Sequence, residues 1–139
     1  MTRLLLDTCA LIELITSSDT TDLNFWDLLD DPETMAYASF ETARELIVHF
    51  NDKRLLSKRW KTAKDMLIEI EQGYGIEFLP LRKDTAYTYA GLLINEEQDH
   101  RDPSDHIIIA HAITEKLTLL SSDQKFSFYR KQGLDLMEY

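Results

Sequence analysis

The stretch Leu4-Leu5-Leu6-Asp7-Thr8-Cys9-Ala10-Leu11-Ile12 decides the fold of this chain. Its three leucines form a short apolar run that is typical of a buried parallel strand, and the residues from Thr8 onward favour a helix. In open α/β sheets, ligands bind outside the carboxyl ends of the strands. Because Asp7 stands at such an end, its carboxylate is predicted to belong to a functional site rather than to the solvated surface.

Short apolar runs recur along the chain and alternate with stretches of helical periodicity. We predict strands over residues 3–6, 35–38, 76–79, 117–121 and 134–138. This βαβ-like alternation predicts an α/β fold, a three-layer α/β/α sandwich around a sheet of four to five mainly parallel strands. A length of 139 residues is enough for a sizeable core, and we expect residues 1–139 to form a single domain.

The predicted helices are recognised by apolar residues that share one face. One is capped by Ser39 and carries Ala43, Leu46, Ile47 and Phe50; a second carries Leu56, Trp60, Ala63, Leu67 and Ile70 and ends at Gly73 and Gly75; a third carries Ala86, Ala90, Leu93 and Ile94. The others start near Thr8 or cover residues 22–30, 104–116 and 124–131, with a loop at 16–22. The second stripe is assigned to the core, and packing against a second copy or a helical partner is the alternative.

Charge is distributed unevenly along the chain. The formal net charge of −10 argues against nonspecific binding of nucleic acid by the whole surface. Residues 53–64 nevertheless hold six of the 15 basic residues and no acid, so the rest of the chain, with nine basic residues against 25 acidic ones, carries −16. This basic segment is either a solvated helix face or a local patch that follows nucleic-acid phosphates.

Cysteine content and hydropathy bear on the compartment. The one cysteine, Cys9, excludes an internal disulfide and fits a reducing cytosol. The first residues do not form a signal peptide, and no apolar run approaches the length of a membrane span. We therefore expect a cytoplasmic protein that does not contact a membrane.

Five acidic residues are candidates for a site. Asp7 and Asp123 each follow a predicted strand, although Asp123 also suits a turn. Asp105 lies in the first turn of an apolar helix, where stabilisation of the helix dipole is an equal alternative. Asp102 is an N-cap or loop acid, and Glu45 lies opposite its helix's apolar stripe, as a solvated residue would. Converging carboxylates without balancing cations usually hold a divalent metal.

Other chemistries are excluded by the residues present. The four histidines form no His-Glu-x-x-His pair, and one cysteine cannot build a cysteine-rich zinc site. His111 follows an apolar run, which indicates a hydrogen-bonded core residue rather than a ligand. There is no glycine-rich phosphate loop.

Four segments resemble, in order, the motifs of PIN-domain proteins, and the third resembles a variant common among VapC-type toxins. The segments are Leu4 to Ile12, Ala38-Ser39-Phe40-Glu41-Thr42-Ala43-Arg44-Glu45-Leu46, His100-Arg101-Asp102-Pro103-Ser104-Asp105-His106-Ile107-Ile108-Ile109-Ala110, and Leu119-Leu120-Ser121-Ser122-Asp123-Gln124-Lys125-Phe126. The likeness spans nearly the whole chain. It departs from the family pattern at Cys9, Ser104 and His106.

The resemblance implies a site and an activity. Asp7, Glu45, Asp105 and Asp123 would bind Mg²⁺ or Mn²⁺ for endoribonuclease cleavage. Asp7 and Asp105 would be direct or near-direct ligands, Glu45 and Asp123 would act through water or at a second ion, and Asp102 would support the site. The protein would be a toxin, a homodimer, held inactive by a basic-tailed antitoxin. A non-catalytic binding module on a PIN-like fold and a metal-dependent DNA nuclease are the alternatives.

Overall fold

The computed structural model describes residues 1–16, 23–55 and 57–139, and for residues 23–26 it describes the backbone alone. The strands are β1 Thr2–Leu6, β2 Thr34–Ser39, β3 Glu77–Leu79, β4 Thr118–Ser121 and β5 Asp135–Glu138. The helices are α1 Thr8–Thr16, α2 Leu23–Asp30, α3 Phe40–Asn51, α4 Ala63–Gly73, α5 Lys83–Ala90 and α6 Pro103–Glu115, and a 3-10 helix covers Gln124–Gln132. Leu56 and the predicted loop after Thr16 lie outside the described residues.

The strands form one parallel sheet in the order β3-β2-β1-β4-β5. Leu6, the last residue of β1, is paired with Ala38 of β2 and with Leu120 of β4, so the carboxyl ends of the strands meet at one edge. The chain leaves β1 toward β2 on one side and leaves β4 toward β5 on the other. Because diverging connections open a crevice, this topology places between the ends of β1 and β4 a crevice of the kind in which ligands bind in open α/β sheets.

Apolar side chains on both faces of β1 hold helices against the sheet. Leu4 and Leu6 are buried on one face, among residues of α1, α3 and α4. Leu5 is buried on the other face, among residues of α6 and the 3-10 helix. A strand buried on both faces reads as a continuous apolar run, as Leu4 to Leu6 do. The two helical layers confirm the predicted three-layer sandwich.

The helix predicted from the second apolar stripe begins only at Ala63, so the prediction was wrong for Trp60. Thr62 and Asp65 form a capping box, in which each side chain accepts a hydrogen bond from the backbone amide of the other residue. Trp60 precedes the helix and is still buried. The assignment of Trp60 and Ile70 to the core is confirmed.

The third predicted helix, α5, ends at Ala90 with Gly91 as its C-cap, so the helix prediction was wrong for Leu93 and Ile94. The stripe is not a buried face, because Ala86, Ala90 and Leu93 are all exposed. Polar residues form part of the contact between α5 and α6, since the hydroxyls of Thr88 and Thr114 lie 2.8 Å apart. The sequence pattern missed this contact because its members are not apolar.

Among the described residues, no helix combines the length and the hydropathy needed to cross a membrane.

Candidate active site

A cleft of about 500 Å³ opens at the carboxyl ends of β1 and β4. All four acids that the family resemblance selects line it. The other lining residues include further acids, two cations and two histidines, namely Asp99, Asp102, Arg101, Lys125, His49 and His100. The structure thus brings the predicted residues to one place, at the crevice that the strand order creates.

Asp7 is held where β1 ends. Its amide donates to the carbonyl oxygen of Leu120 at 3.1 Å, and its Oδ1 accepts a hydrogen bond from the amide of Ala10 at 2.7 Å. Burial raises the pKa of the Asp7 carboxyl to about 6, and the charges of Asp105 and Asp123 add to the rise. The negative charge of Asp7 is therefore unfavourable in the metal-free protein.

Asp123 is held in the same way after β4. Its Oδ1 accepts a hydrogen bond from the amide of Lys125 at 2.9 Å, and its own amide donates to Ser121 Oγ at 3.1 Å. It caps the 3-10 helix and also lines the cleft. The sequence left open whether Asp123 belongs to a turn or to a functional site, and the structure is compatible with both roles.

Glu45 lies on α3, half-buried, with its side chain toward the start of α1. Its Oε1 accepts a hydrogen bond from Thr8 Oγ1 at 2.5 Å, and Thr8 Oγ1 lies 3.0 Å from Thr42 Oγ1. Since the single hydroxyl proton of Thr8 is given to Glu45, Thr42 donates to Thr8. The periodicity argument for a solvated residue was wrong for Glu45, because its side chain is hydrogen-bonded to Thr8 at the start of α1 and lines the cleft.

The neighbouring acid Glu41 on α3 has a structural role. It is buried and accepts hydrogen bonds from Arg44 at 2.5 Å and from Ser104 Oγ at 3.0 Å. Ser104, one of the departures from the family pattern, thereby joins α6 to α3. His106, another departure, is buried with its Nε2 at 2.8 Å from the carbonyl oxygen of His100.

Asp105 lies in the first turn of α6, which Asp102 caps by accepting a hydrogen bond from the amide of Ser104 at 2.9 Å. Asp105 Oδ2 lies 3.0 Å from His100 Nε2. Burial raises the pKa of Asp105 to about 7, with further contributions from nearby acids, while Lys125 opposes the rise. Asp102 therefore serves as the N-cap that the sequence suggested and also adds negative charge to the site.

Sequence reasoning missed His100 and Thr8. His100 is buried, burial lowers its pKa, and one ligand atom from each of His100, Asp105 and Asp123 lies within 4.8 Å of the others. Both residues stand inside the quoted motifs, but neither carries a periodicity or charge pattern that distinguishes it. His111, by contrast, is confirmed as a hydrogen-bonded core residue, with Nδ1 at 2.9 Å from Ser39 Oγ.

The donor set fits a divalent cation. Carboxylate oxygens are the ligands that Mg²⁺ and Mn²⁺ prefer. The raised pKa values of Asp7 and Asp105 reflect buried acids that repel one another, a cost that a bound cation removes. Asp105 and Asp123 have ligand atoms within 4.8 Å of each other, and Asp7 and Glu45 line the same cleft.

Comparisons with known proteins agree with the fold. VapBC2 from Rickettsia felis, bound to a promoter DNA fragment, gives a TM-score of 0.72 at 19% identity over 99% of this chain and 98% of that one. FitAcB from Neisseria gonorrhoeae gives 0.66 at 22%, over 97% and 96%, and the toxin–antitoxin system VapBC-5 from Mycobacterium tuberculosis gives 0.61 at 22%, over 100% of both. No curated protein matches the chain. The sequence matches the PIN domain over residues 4–132, and the chain therefore belongs to the PIN domain family.

Proposed function

We propose that this protein is a divalent-metal-dependent endoribonuclease and the toxin of a toxin–antitoxin pair. PIN domains of VapC toxins are nucleases. The observation that carries the proposal is the convergence of Asp7, Glu45, Asp105 and Asp123 on one cleft at the crevice between β1 and β4. A non-catalytic binding module has no need of four acids that destabilise one another there.

The four acids have different parts in this proposal. Asp7 and Asp105 are the direct or near-direct ligands of Mg²⁺ or Mn²⁺ in this proposal, since burial disfavours the charge of each carboxylate and a bound cation would offset that cost. Glu45 and Asp123 act through water or at a second ion. When bound, the cation supplies Lewis acidity toward a phosphate group and toward water.

Two cations line the acidic cleft and suit an anionic substrate. Lys125 is half-buried, and its charge is close enough to oppose the rise in the pKa of Asp105. Arg101 forms an ion pair with Asp99 at the surface. We assign Lys125 to a contact with an RNA phosphate, since an ammonium group beside the carboxylates offsets their repulsion of the substrate.

The test compares RNA and single-stranded DNA, each with and without Mg²⁺ or Mn²⁺. Wild-type protein should cleave RNA only with a metal. Asp7→Asn keeps the shape of the side chain but removes its charge, and it should abolish cleavage. The control, Asp84→Asn, changes an exposed acid at the start of α5 and should cleave like wild type. Cleavage of DNA alone would favour the DNA nuclease, and cleavage of neither would favour the binding module.

A basic antitoxin tail is the partner that this cleft suits. The similar structures VapBC2 and VapBC-5 are toxin–antitoxin proteins. An Arg or Lys side chain of an antitoxin tail could pair with the acids of the cleft and exclude the metal. A basic antitoxin peptide should therefore lose affinity as Mg²⁺ concentration rises, and it should bind Asp7→Asn more weakly. Binding that ignores both metal and Asp7 would show that the tail docks elsewhere.

The homodimer stays a prediction. The second apolar stripe does not supply its interface through Trp60 or Ile70, because both side chains are buried within the domain. Sedimentation velocity over a range of protein concentrations measures the oligomeric state directly.

A further inference from the structure

His100 has a fixed position beside the candidate metal site. It is 2% exposed, and three aromatic rings surround its own. The ring centroids of His106, Phe126 and Tyr129 lie 4.8, 5.3 and 5.5 Å from that of His100. Because these rings leave the imidazole little freedom to rotate, the direction of each ring nitrogen is set by packing.

Both nitrogens of His100 have hydrogen-bond partners. Nδ1 lies 3.0 Å from Tyr129 Oη, and Nε2 lies 3.0 Å from Asp105 Oδ2. A neutral imidazole carries one proton, so one of these nitrogens donates and the other accepts. The identity of the donor decides whether His100 holds Asp105 or instead presents a lone pair to a cation.

Tyr129 settles the tautomer. Its side chain is fully buried, and its Oη accepts a hydrogen bond from the amide of Asn95 at 3.1 Å. The hydroxyl proton of Tyr129 needs an acceptor of its own, since a buried donor without one is costly. His100 Nδ1 is the acceptor at hydrogen-bond distance, which places the imidazole proton on Nε2, facing Asp105.

The first donor of this chain of hydrogen bonds is itself well anchored. Asn95 is 1% exposed, and its Nδ2 donates to Gln98 Oε1 at 2.7 Å and to the carbonyl oxygen of Lys125 at 3.1 Å. The backbone carbonyl oxygen of Asn95 accepts a hydrogen bond from the backbone amide of His100 at 3.0 Å. The loop before α6 and the 3-10 helix after β4 are thereby joined by the same residues that orient His100.

We propose that His100 is a positioning residue that acts through Asp105, in a directional relay from the Asn95 amide through Tyr129 Oη and His100 to Asp105 Oδ2. The relay fixes one oxygen of the carboxylate and leaves the other for a cation, so His100 itself is not a metal ligand. This inference rests on the proposed function for its purpose, but the relay exists in the metal-free protein. Such supporting hydrogen bonds typically change metal affinity by about 10–100-fold.

The tautomer is measured without RNA and without metal. In a ¹⁵N NMR spectrum of the imidazole groups, His100 should show a protonated Nε2 and an unprotonated Nδ1. The opposite assignment would overturn the relay. Because neither substrate nor metal is present, a failure of the proposed nuclease function would leave this result unaffected.

Affinity for Mn²⁺ tests the role of the relay. His100→Ala should weaken Mn²⁺ binding by about 10–100-fold, and Tyr129→Phe by about tenfold, since it removes the group that selects the tautomer. His100→Gln retains a donor that can reach Asp105 and should recover part of the affinity. Tyr37→Phe, at a buried tyrosine whose hydroxyl contacts Met35 rather than the site, is the control and should bind as wild type.

Electron paramagnetic resonance of the Mn²⁺ complex separates positioning from ligation. A nitrogen hyperfine coupling from His100 would show direct ligation and overturn the proposal. Unchanged Mn²⁺ affinity in His100→Ala, with the variant folded as judged by its melting curve, would overturn it as well.

Discussion

The four acids of the cleft fall into two pairs that are held in different ways. The strand-end pair, Asp7 and Asp123, follows β1 and β4, and each member accepts a hydrogen bond from a backbone amide close by in sequence. The helix-borne pair, Glu45 and Asp105, accepts hydrogen bonds from side chains outside its own helices. The first pair is therefore positioned by local sequence and sheet topology, and the second by tertiary contacts that single substitutions can remove.

The largest effect on the rate of RNA cleavage should come from changes at Glu45 and at Thr8, whose hydroxyl donates a hydrogen bond to Glu45. Thr8→Val deletes the hydroxyl that holds Glu45 and should lower RNA cleavage by about tenfold, whereas Glu45→Gln removes the charge and should lower it by about 100-fold. The control Thr16→Val changes an exposed threonine of the same helix, α1. Initial rates at saturating Mg²⁺ measure the effect, and wild-type rates in Thr8→Val would show that Glu45 needs no support.

The second prediction concerns the stability of the metal-free protein. The folded-state pKa values of Asp7 and Asp105 are raised to about 6 and about 7. Because the folded protein binds these protons more tightly than the unfolded chain, protonation of the two groups stabilises the fold. This contribution to the free energy of unfolding is complete below the unfolded-state pKa near 4 and is lost as pH rises through the folded-state pKa values. With chelator present, these two groups should therefore make the protein less stable at about pH 8 than at about pH 5.

Asp105→Asn isolates one of the two contributions. A rise of about three pKa units corresponds to roughly 4 kcal/mol, which partial exposure of Asp105 reduces to roughly 2 kcal/mol. At about pH 8 the variant should melt several degrees higher than wild type, and the difference should shrink toward about pH 5. It should also gain less stability from added Mg²⁺ or Mn²⁺. A variant that is less stable at every pH would indicate that Asp105 serves mainly the dipole of α6.

The smallest expected effect lies outside both pairs, in the basic segment 53–64. Arg54 and Arg59 are engaged in ion pairs, with Asp52 at 3.0 Å and with Glu69 at 2.6 Å. The exposed Lys58 is a better candidate for RNA phosphates.

Lys58→Gln combined with Lys61→Gln should reduce the slope of log affinity against log salt by about 0.7–0.9 per lost contact. The double variant Lys83→Gln and Lys131→Gln, on exposed residues outside the segment, should keep the wild-type slope. Filter binding of a catalytically inactive protein measures both. Equal salt slopes in the wild type and in both double variants would indicate that segment 53–64 is a solvated surface that does not contact RNA.

The difference between the strand-end pair and the helix-borne pair also explains which parts of the structure the sequence predicts. The sheet, the two helical layers and the strand-end acids follow from apolar runs and from the residues directly after them. Glu45 and His100 do not, because their partners lie on other parts of the chain and leave no periodic trace. The family resemblance, rather than periodicity, selected Glu45, and even the resemblance passed over His100.

The errors in the helices have a similar cause. The stripe that includes Trp60 has helical spacing, yet the capping box at Thr62 and Asp65 starts α4 later, and Trp60 reaches the core from an irregular segment. In this segment the apolar pattern predicts the burial of Trp60 but not the backbone conformation that buries it. Local hydrogen bonds decided the boundary in this case.

The hydrogen bond from the Asp7 amide to the carbonyl oxygen of Leu120 extends the pairing of β1 and β4 by one residue into the cleft. Amides in central strands exchange with solvent mainly through global unfolding. The exchange rate of the Asp7 amide should therefore match those of the core strands, although its side chain lines an open cleft. Fraying of the surrounding loops should therefore leave Asp7 in its position at the end of β1. A regulator of the protein is therefore expected to occupy the cleft or to displace the helix-borne pair, Glu45 and Asp105, rather than to move Asp7.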